Sequence, residues 1–373
     1  MKTVLIFRKE LLSISETFVQ AQANALKRFR ARYIGLERVT PSLPLPDDSI
    51  LLTQSSGAAA KPRVRLYRLT GAAPRFHGLA RKSAPALVHA HFATDGVNAL
   101  ALARSLPVPL VVTLHGYDVT IRDEFHTSRG ARQYLHLRGQ LWDRASVFLC
   151  VSEFIRHKAL AAGFPENKLR VHHIGIDLAQ FPFCGEPRPE KIVLFVGRLV
   201  EKKGAGYLIQ AMQSVQKKHP DARLVILGHG QFRAELEALA TELQVACDFL
   251  GGQPAPVVRE WMRKASVLCL PSVTAANGDS EGLPIVLLEA LAMGTPVVAS
   301  RHAGIPEAVL HEQTGLLTAE GDTTEIAASI LRLLDNPGFA SQVSALGRAR
   351  VEECFDLARQ TAELEEIYAD CIR

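Results

Sequence analysis

Short β-branched or apolar runs alternate with amphipathic stretches along almost the whole chain. In the first half the runs Thr3 to Phe7, Tyr33 to Leu36, Ser49 to Thr53, Val64 to Leu69, Leu87 to Phe92, Leu110 to His115, Val147 to Ser152 and Arg170 to Ile174 predict strands. Between them Glu16 to Phe29, Val97 to Leu106 and Phe154 to Ala162 predict helices. Three prolines in "FPFCGEPRPEK", Phe181 to Lys191, break the pattern and mark a linker. It then restarts, with strands expected at Ile192 to Val196, Leu224 to Leu227, Asp248 to Leu250, Val267 to Leu270 and Val297 to Ser300. Helices are expected at Ala205 to His219, Phe232 to Leu243 and Pro284 to Met293. The fold class expected is α/β, with two doubly wound parallel sheets, each covered by helices, facing a central cleft. Ligands in such folds bind at the carboxyl ends of the strands. The domains fall at 1–183 and 184–355, and a last helical stretch, 356–373, is expected to cross back to the first domain.

A length of 373 residues suits two such domains. Charge separates them. Residues 1–183 hold 25 Lys/Arg against 13 Asp/Glu, and residues 184–373 hold 18 against 25. Basic clusters recur in the first half at Lys27 to Arg32, Lys61 to Arg68 and Arg122 to Arg144. They are either ordinary solvated faces or a surface for an anionic membrane or phosphorylated acceptor. Nucleic acid is not expected, because the clusters lack interleaved stacking aromatics. The run "VLIF" is too short for a signal peptide or a spanning helix, so a cytoplasmic chain is expected. Six cysteines without a C-x-x-C pair read as buried free thiols.

One stretch changes this general picture. "DSEGLPIVLLEALAMGTP", 279–296, places Glu289 in the middle of an otherwise apolar helix opened by Pro284 and ended by Gly294. Burying an unpaired carboxylate costs several kcal/mol, so a polar partner is required. Glu281 lies on the loop before that helix. The amides of Gly282, Leu283 and Ile285 would form an anion site at the helix start, completing a pocket for phosphate and hydroxyls. In "VLFVGRLVEKKGAGYLIQA" Arg198 and Lys203 stand on a strand-to-helix turn, two cations suited to clamp a diphosphate. "LVILGHGQF" sets Gly228 and Gly230 where backbone must come close to something, a weak signal alone. His89 and His91 form an H-x-H pair, but without nearby Cys or carboxylate partners no metal is expected there.

The ordered set "VGRLVEKKG", "VILGHG", "DFLGG", "SVLCLPS", "EGLPIVLLEALAMGTPVVAS", "GIPE" and "TGLL" resembles the nucleotide-sugar-binding domain of retaining glycosyltransferases of family 4. These have the GT-B fold, two Rossmann-like domains. The resemblance implies that Glu289 holds the ribose hydroxyls and that Arg198 and Lys203 hold the diphosphate. It implies that Glu281 and the segment Gly282, Leu283, Pro284 and Ile285 meet the sugar and its phosphate. In the first half "SISETFV", "VHAHFATDG", "VVTLHGYDVT", "CVSEFIR" and "VHHIGID" look like bacterial transferases that build exopolysaccharides such as colanic acid. His115 is then implied to touch the transferred sugar. The family's loop after the first strand is often glycine-rich; here it has no glycine, which gives Ser15, Glu16 and Thr17 to the acceptor or sugar, with Asp118 and Asp95 as further acceptor candidates. Ser13 with Glu16 also fits a capping box for the first helix.

The expected activity is transfer of a hexose from a nucleotide sugar, UDP rather than GDP, to a saccharide acceptor, with the anomeric configuration retained. The basic first half together with the resemblance implies a lipid-linked or oligosaccharide acceptor and peripheral contact with the anionic inner face of the membrane. No D-x-D pair is present, so neither a metal nor any cofactor beyond the donor is expected. The alternative is an epimerase or hydrolase of nucleotide sugars on the same fold. A dinucleotide-dependent dehydrogenase would need G-x-G-x-x-G after the first strand, and "VLIFRKELLSISE" has no glycine.

Overall fold

The first apolar run of the chain forms β1 (Lys2–Leu11), in which every residue from Val4 to Arg8 is buried rather than every second one. That is the mark of a strand covered on both faces. β2 (Phe29–Arg38), β3 (Ile50–Leu51), β4 (Pro85–His91), β5 (Leu110–Leu114), β6 (Val147–Cys150) and β7 (Leu169–Val171) join it in one parallel sheet, ordered β3-β2-β1-β4-β5-β6-β7. The connecting helices are α1 (Thr17–Ala25), α2 (Lys61–Thr70), α3 (Pro74–Lys82), α4 (Ala93–Ser105), α5 (Tyr117–Thr120), α6 (Arg129–Arg144) and α7 (Glu153–Ala161). This computed structural model describes residues 1–13, 16–185 and 188–373.

Two expectations for this part needed correction, and one helix was not foreseen. Val64 to Leu69, expected as a strand, lies in α2. The buried pair is Val64 and Tyr67, three apart, while Leu66 and Leu69 stand 59% and 75% exposed. Pro62 in the first turn and Gly71 at φ 67° after the last punctuate that helix. The helix expected over Glu16 to Phe29 ends at Ala25, and Phe29 opens β2. The arginines of 129–144, seen in sequence only as a basic cluster, belong to α6, which buries Tyr134 and Leu141, seven residues apart.

In the second part β8 (Ile192–Val196), β9 (Arg223–Leu227), β10 (Cys247–Gly251), β11 (Val267–Leu270), β12 (Val297–Ser300) and β13 (Leu316–Thr318) form a parallel sheet ordered β10-β9-β8-β11-β12-β13. Its helices are α8 (Ala205–Lys218), α9 (Arg233–Glu242), α10 (Ala255–Lys264), α11 (Ile285–Ala292), α12 (Ile305–Ala308), α13 (Thr323–Asp335) and α14 (Pro337–Cys354). Counted from its own first strand this order is 3-2-1-4-5-6, the Rossmann order, and the first sheet has the same order with one strand added. The order reverses between β1 and β4 in one sheet and between β8 and β11 in the other. Those are the switch points at which such sheets bind ligands. α11 is buried as its sequence suggests: Leu287, Leu288, Leu291 and Ala292 have almost no exposed surface. α14 packs on it at Gly347, where an added Cβ would lie 2.7 Å from Leu291.

The last helix, α15 (Leu357–Ile372), belongs to the first part. Its Leu364, Ile367 and Tyr368 share a core with Val4, Ile6, Leu87, Val111 and Leu149. Glu365 accepts hydrogen bonds from the backbone N–H of Lys27, Arg28 and Phe29 at 2.8, 2.6 and 3.1 Å, where α1 gives way to β2. The compact units are therefore Met1–Gly175 with Leu357–Arg373, and Ile176–Asp356. The division falls ahead of the proline-rich stretch, whose Phe181 carbonyl accepts from Arg348 and whose Cys184 N–H donates to Met293 in the second unit. All six cysteines are free; Cys150 and Cys269 are buried, and the other four are only partly covered.

Candidate functional site

At the switch point of the second unit three turns meet. The turn after β8 carries Gly197 and Arg198, the turn after β9 carries Gly228 and Gly230, and the loop after β11 carries Ser272 and Glu281. Glycine is required where they touch. A Cβ on Gly228 would lie 1.8 Å from the Gly197 carbonyl oxygen, and one on Gly204 would lie 1.8 Å from that of Pro271. The backbone that Gly228 approaches is thus the neighbouring turn, and its N–H is given to the Gly251 carbonyl at 2.8 Å. Its part is to hold the turns together.

Glu281 is buried at this junction. Its Oε1 takes an ion pair from Lys203 Nζ at 2.8 Å and a hydrogen bond from Ser272 Oγ at 3.0 Å. Its Oε2 accepts from none of the described residues. Burial acts to raise its pKa, but Lys203 and Lys202 outweigh that, and the carboxyl is held below its ordinary value. Lys202 is itself tied to Asp279 at 2.8 Å and the Ser280 carbonyl at 3.1 Å. His302, almost fully buried, accepts from the Glu281 N–H at 3.4 Å and pairs with Glu320 at 2.8 Å. Arg198 is exposed and forms no ion pair among the described residues. α11 begins one residue later than expected, with Pro284 as its N-cap, and the N–H groups of Leu283 and Ile285 find no acceptor among the described residues.

Glu289 sits in the second turn of α11, partly covered, with no hydrogen bond or ion pair to its carboxylate among the described residues. Burial raises its pKa to about 7, and Arg259 offsets this only in part. Strong perturbation without a protein partner points to a ligand. A structural salt bridge, the ordinary reason for a carboxylate in such a helix, is not what this residue makes.

The switch point of the first unit is built from the same places but filled differently. Arg8, buried within β1, grips Glu16 through two nitrogens, Asp95 at 2.7 Å and the His91 carbonyl at 2.8 Å. Its guanidinium also lies over Phe92, 4.3 Å from the ring centroid. Burial opposes its charge, yet Asp95 and Glu16 raise its pKa. Phe92, with φ 72°, is a non-glycine residue held in left-handed territory at the end of β4. Beyond it His89, His91 and His115 stack, with centroids 4.4 and 5.3 Å apart. His89 is bonded to Tyr368 of α15 at 2.6 Å and Thr113 at 2.7 Å; His91 Nδ1 meets His115 Nε2 at 3.0 Å. Burial keeps all three rings far below the usual imidazole range, so they are neutral near pH 7. His91 Nε2 and His115 Nδ1 have no partner among the described residues.

The expected first-half contacts divide on this geometry. Asp118 spends both oxygens on backbone N–H groups of Ala93, His115 and Gly116 at 2.9, 3.1 and 2.8 Å, tying the end of β5 to the start of α4. Glu16 is committed to Arg8 and to the Ser13 N–H at 3.3 Å; it is itself the N-cap residue of α1, which starts at Thr17, so the capping box expected from Ser13 does not form. Thr17 is exposed, His115 keeps an open ring nitrogen, and Ser15 lies outside the described residues. Arg8, Lys202, Ser272, His302, Glu320 and Tyr368 were not foreseen as site residues. Arg8 opens the charged run Arg8-Lys9-Glu10 directly after the apolar Val4 to Phe7, a pattern that does not show it to be buried; the others depend on contacts that no local pattern encodes.

Comparison with known proteins now bears on these two sites. Residues 15–180 match the model described as Glycosyltransferase Family 4, and residues 179–350 the model described as Glycosyl transferases group 1. The amylovoran biosynthesis glycosyltransferase AmsK of Erwinia amylovora is 33% identical over 288 residues, 75% of this chain and 69% of that protein. The chain belongs to glycosyltransferase family 4. A second relative of this family 4 chain is the putative colanic acid biosynthesis glycosyltransferase WcaL of Escherichia coli, 32% identical over 72% of the chain and 66% of its own length. The chain thus spans about two thirds of the length of these two. A GDP-mannose-dependent mannosyltransferase of Corynebacterium glutamicum is 38% identical over 42% of the chain and 41% of that protein. Among solved structures, Anabaena HepE in complex with UDP and glucose matches with a TM-score of 0.78 at 20% identity, over 99% of this chain and 100% of that one. Sucrose-phosphate synthase of Thermosynechococcus elongatus matches with a TM-score of 0.77 at 20% identity, over 99% of each chain. At that identity the structures speak for the fold, and it is the GT-B fold of this family.

Proposed function

We propose that this family 4 glycosyltransferase moves a hexosyl group from a UDP-sugar to a hydroxyl of a lipid-linked saccharide acceptor, with retention and without a metal ion, in exopolysaccharide assembly. The observation that carries the reading is the set of unsatisfied groups at the switch point of the second unit. Among the described residues Arg198 has no ion-pair partner, the N–H groups of Leu283 and Ile285 and Glu281 Oε2 have no hydrogen-bond partner, and Glu289 is an unpaired carboxylate with its pKa raised to about 7. In this reading Glu289 accepts from the ribose hydroxyls, and Arg198 with Lys203 holds the diphosphate. The amides at the start of α11 meet the phosphate nearest the sugar, while Glu281 Oε2 accepts from a sugar hydroxyl. His115, neutral and with Nδ1 buried and unpartnered among the described residues, is proposed to touch the transferred sugar, with Thr17 and Ser15 left for the acceptor.

The chemistry needs charge at the leaving phosphate more than it needs a nucleophile. The bond from the anomeric carbon to the phosphate oxygen breaks as the bond to the acceptor oxygen forms on the same face. The acceptor's proton passes to the departing phosphate. Preorganised cations and amides stabilise the developing negative charge, the role a divalent ion plays elsewhere. The relatives named for amylovoran and colanic acid biosynthesis support the exopolysaccharide assignment, and the basic first half supports a peripheral site on the inner face of the membrane. No helix among the described residues is long and apolar enough to cross a membrane.

Uracil and guanine are separated by a thermal-shift screen of UDP- and GDP-sugars, followed by turnover with lipid-linked saccharides in EDTA. Stabilisation by UDP-sugars and a product of unchanged anomeric configuration are expected. Loss of transfer in EDTA, restored by manganese, overturns the metal-free mechanism. Nucleotide release that ignores added acceptor overturns transfer in favour of an epimerase or hydrolase.

A further inference from the structure

The first unit contains a cavity of about 1210 Å³ between the ends of β1 and β2, the inner face of α2 and the start of α6. Its walls are cationic in a way that its own acids do not offset. Glu10 and Glu37, the two carboxylates present, are both paired to Lys9, at 2.7 and 3.2 Å. Arg38, Lys61, Arg65, Arg68 and Arg129 also line it, and none of them has an ion-pair partner among the described residues. Arg68 is the most telling. Its guanidinium is half-buried, bonded to the neutral amide of Gln133 at 2.7 Å, and burial lowers its pKa despite the field of Asp95 and Glu37.

Arginine suits phosphate oxygens because its fork donates two parallel hydrogen bonds. The N-terminal end of the 16-residue α6, capped by Ser128, adds positive potential from the same wall. No Phe, Tyr or Trp lines the cavity, so it offers no platform for a nucleic acid base. Val39, Val64 and Leu137 supply apolar wall, and the exposed Leu66 and Leu69 stand along α2.

We propose that this cavity binds the diphosphate of an amphiphile, its oxygens held by Arg38, Arg65, Arg68 and Arg129 and its apolar chain leaving past Leu66 and Leu69. Naming that amphiphile as the glycosyl acceptor rests on the transferase reading; the binding itself does not.

The test uses the full chain with excess UDP present, so that the second unit's own phosphate site is occupied. Calorimetric titration with sodium pyrophosphate is compared between the wild type and the triple variant Arg38→Gln, Arg65→Gln, Arg129→Gln. All three side chains are exposed and form no ion pair among the described residues, so the fold should be kept, as an unchanged melting temperature checks. Pyrophosphate should bind the wild type with an affinity that falls steeply with added salt, and the triple variant about tenfold more weakly or worse. Arg63→Gln, on α2 but outside the cavity, should bind as the wild type does.

A second arm uses vesicles. Phosphatidylcholine vesicles carrying a prenyl diphosphate should retain the wild type and release the triple variant. Equal pyrophosphate affinity in wild type and triple variant overturns the site. So does a wild type that binds phosphatidylglycerol vesicles but neither pyrophosphate nor the prenyl diphosphate, which would make the surface a general membrane contact. Absence of sugar transfer with every donor would sink the transferase reading while leaving these binding results to stand or fall by themselves.

Discussion

Arg8 and Arg198 each follow the apolar run of their unit's first strand, toward its carboxyl end, in the interior of sheets of the same order. Arg8 is buried and held by Glu16, Asp95 and the His91 carbonyl. Arg198 is exposed and paired with none of the described residues. The carboxylates differ in the same sense. Asp95, Asp118 and Glu16 are consumed by the protein, whereas among the described residues Glu289 is left without a partner and Glu281 keeps one oxygen unpaired. One architecture therefore has its switch point closed by internal ion pairs in one unit and left electrostatically unfinished in the other. An unfinished site is costly to the unliganded fold, and the natural compensation is a ligand.

That contrast can be broken most directly at Arg8. Arg8→Ala leaves Glu16 and Asp95 buried without their cation and should cost about 3–5 kcal/mol in chemical denaturation. A loss below about 1 kcal/mol would mean that the network is not structural. Gly228→Ala drives a Cβ into the Gly197 carbonyl and should destabilise the second unit by about 3 kcal/mol, because backbone cannot move aside cheaply. Arg198→Gln should do the reverse of Arg8→Ala: turnover falls by about 10²-fold while the melting temperature stays put. Equal damage to stability and rate at Arg198 would erase the distinction between the two sites.

The smallest effect is the one that sharpens the comparison furthest. Burial holds the Glu289 carboxyl at about 7 in the folded chain, against about 4.3 unfolded, so the folded state binds that proton more tightly. Its contribution is present in full below the unfolded value and is lost as the pH rises through 7. Discounted for partial exposure, Glu289→Gln should stabilise the unliganded protein by about 1–2 kcal/mol at pH 8, and the gain should vanish near pH 4. Donor affinity should fall about tenfold in the same variant. A variant that is no more stable at pH 8, by thermal melts across that range, removes the case for an unsatisfied carboxylate.

Much of the second unit was legible in sequence. Ile192–Val196, Val267–Leu270 and Val297–Ser300 were predicted end for end, because parallel strands buried on both faces read as short continuous apolar runs bounded by glycine, serine and proline. The isolation of Glu289 inside "PIVLLEALAMG" was equally plain, since a charge stands out in an apolar helix. The first unit was harder. "VRLYRL" has the apolar and aromatic content of a strand, but its apolar residues do not alternate, and the three-residue spacing of the buried Val64 and Tyr67 is helical. α6 escaped notice because it covers the sheet with two buried residues and shows solvent mostly arginine and polar side chains.

By itself the chain determined the alternation of strands and helices, the charge difference between its halves, and the presence of Arg198, Lys203 and Glu281 on turns and loops and of Glu289 inside an apolar helix. Those follow from hydrophobic periodicity and local conformational preference, which act over a few residues. Tertiary structure alone decided which charges are spent and which are left over. Lys203 finds Glu281 78 positions away, Arg8 finds Asp95 87 away, and Tyr368 reaches His89 279 away. Desolvation and pairing depend on what the fold brings within hydrogen-bond reach, and no span of a few residues contains that information.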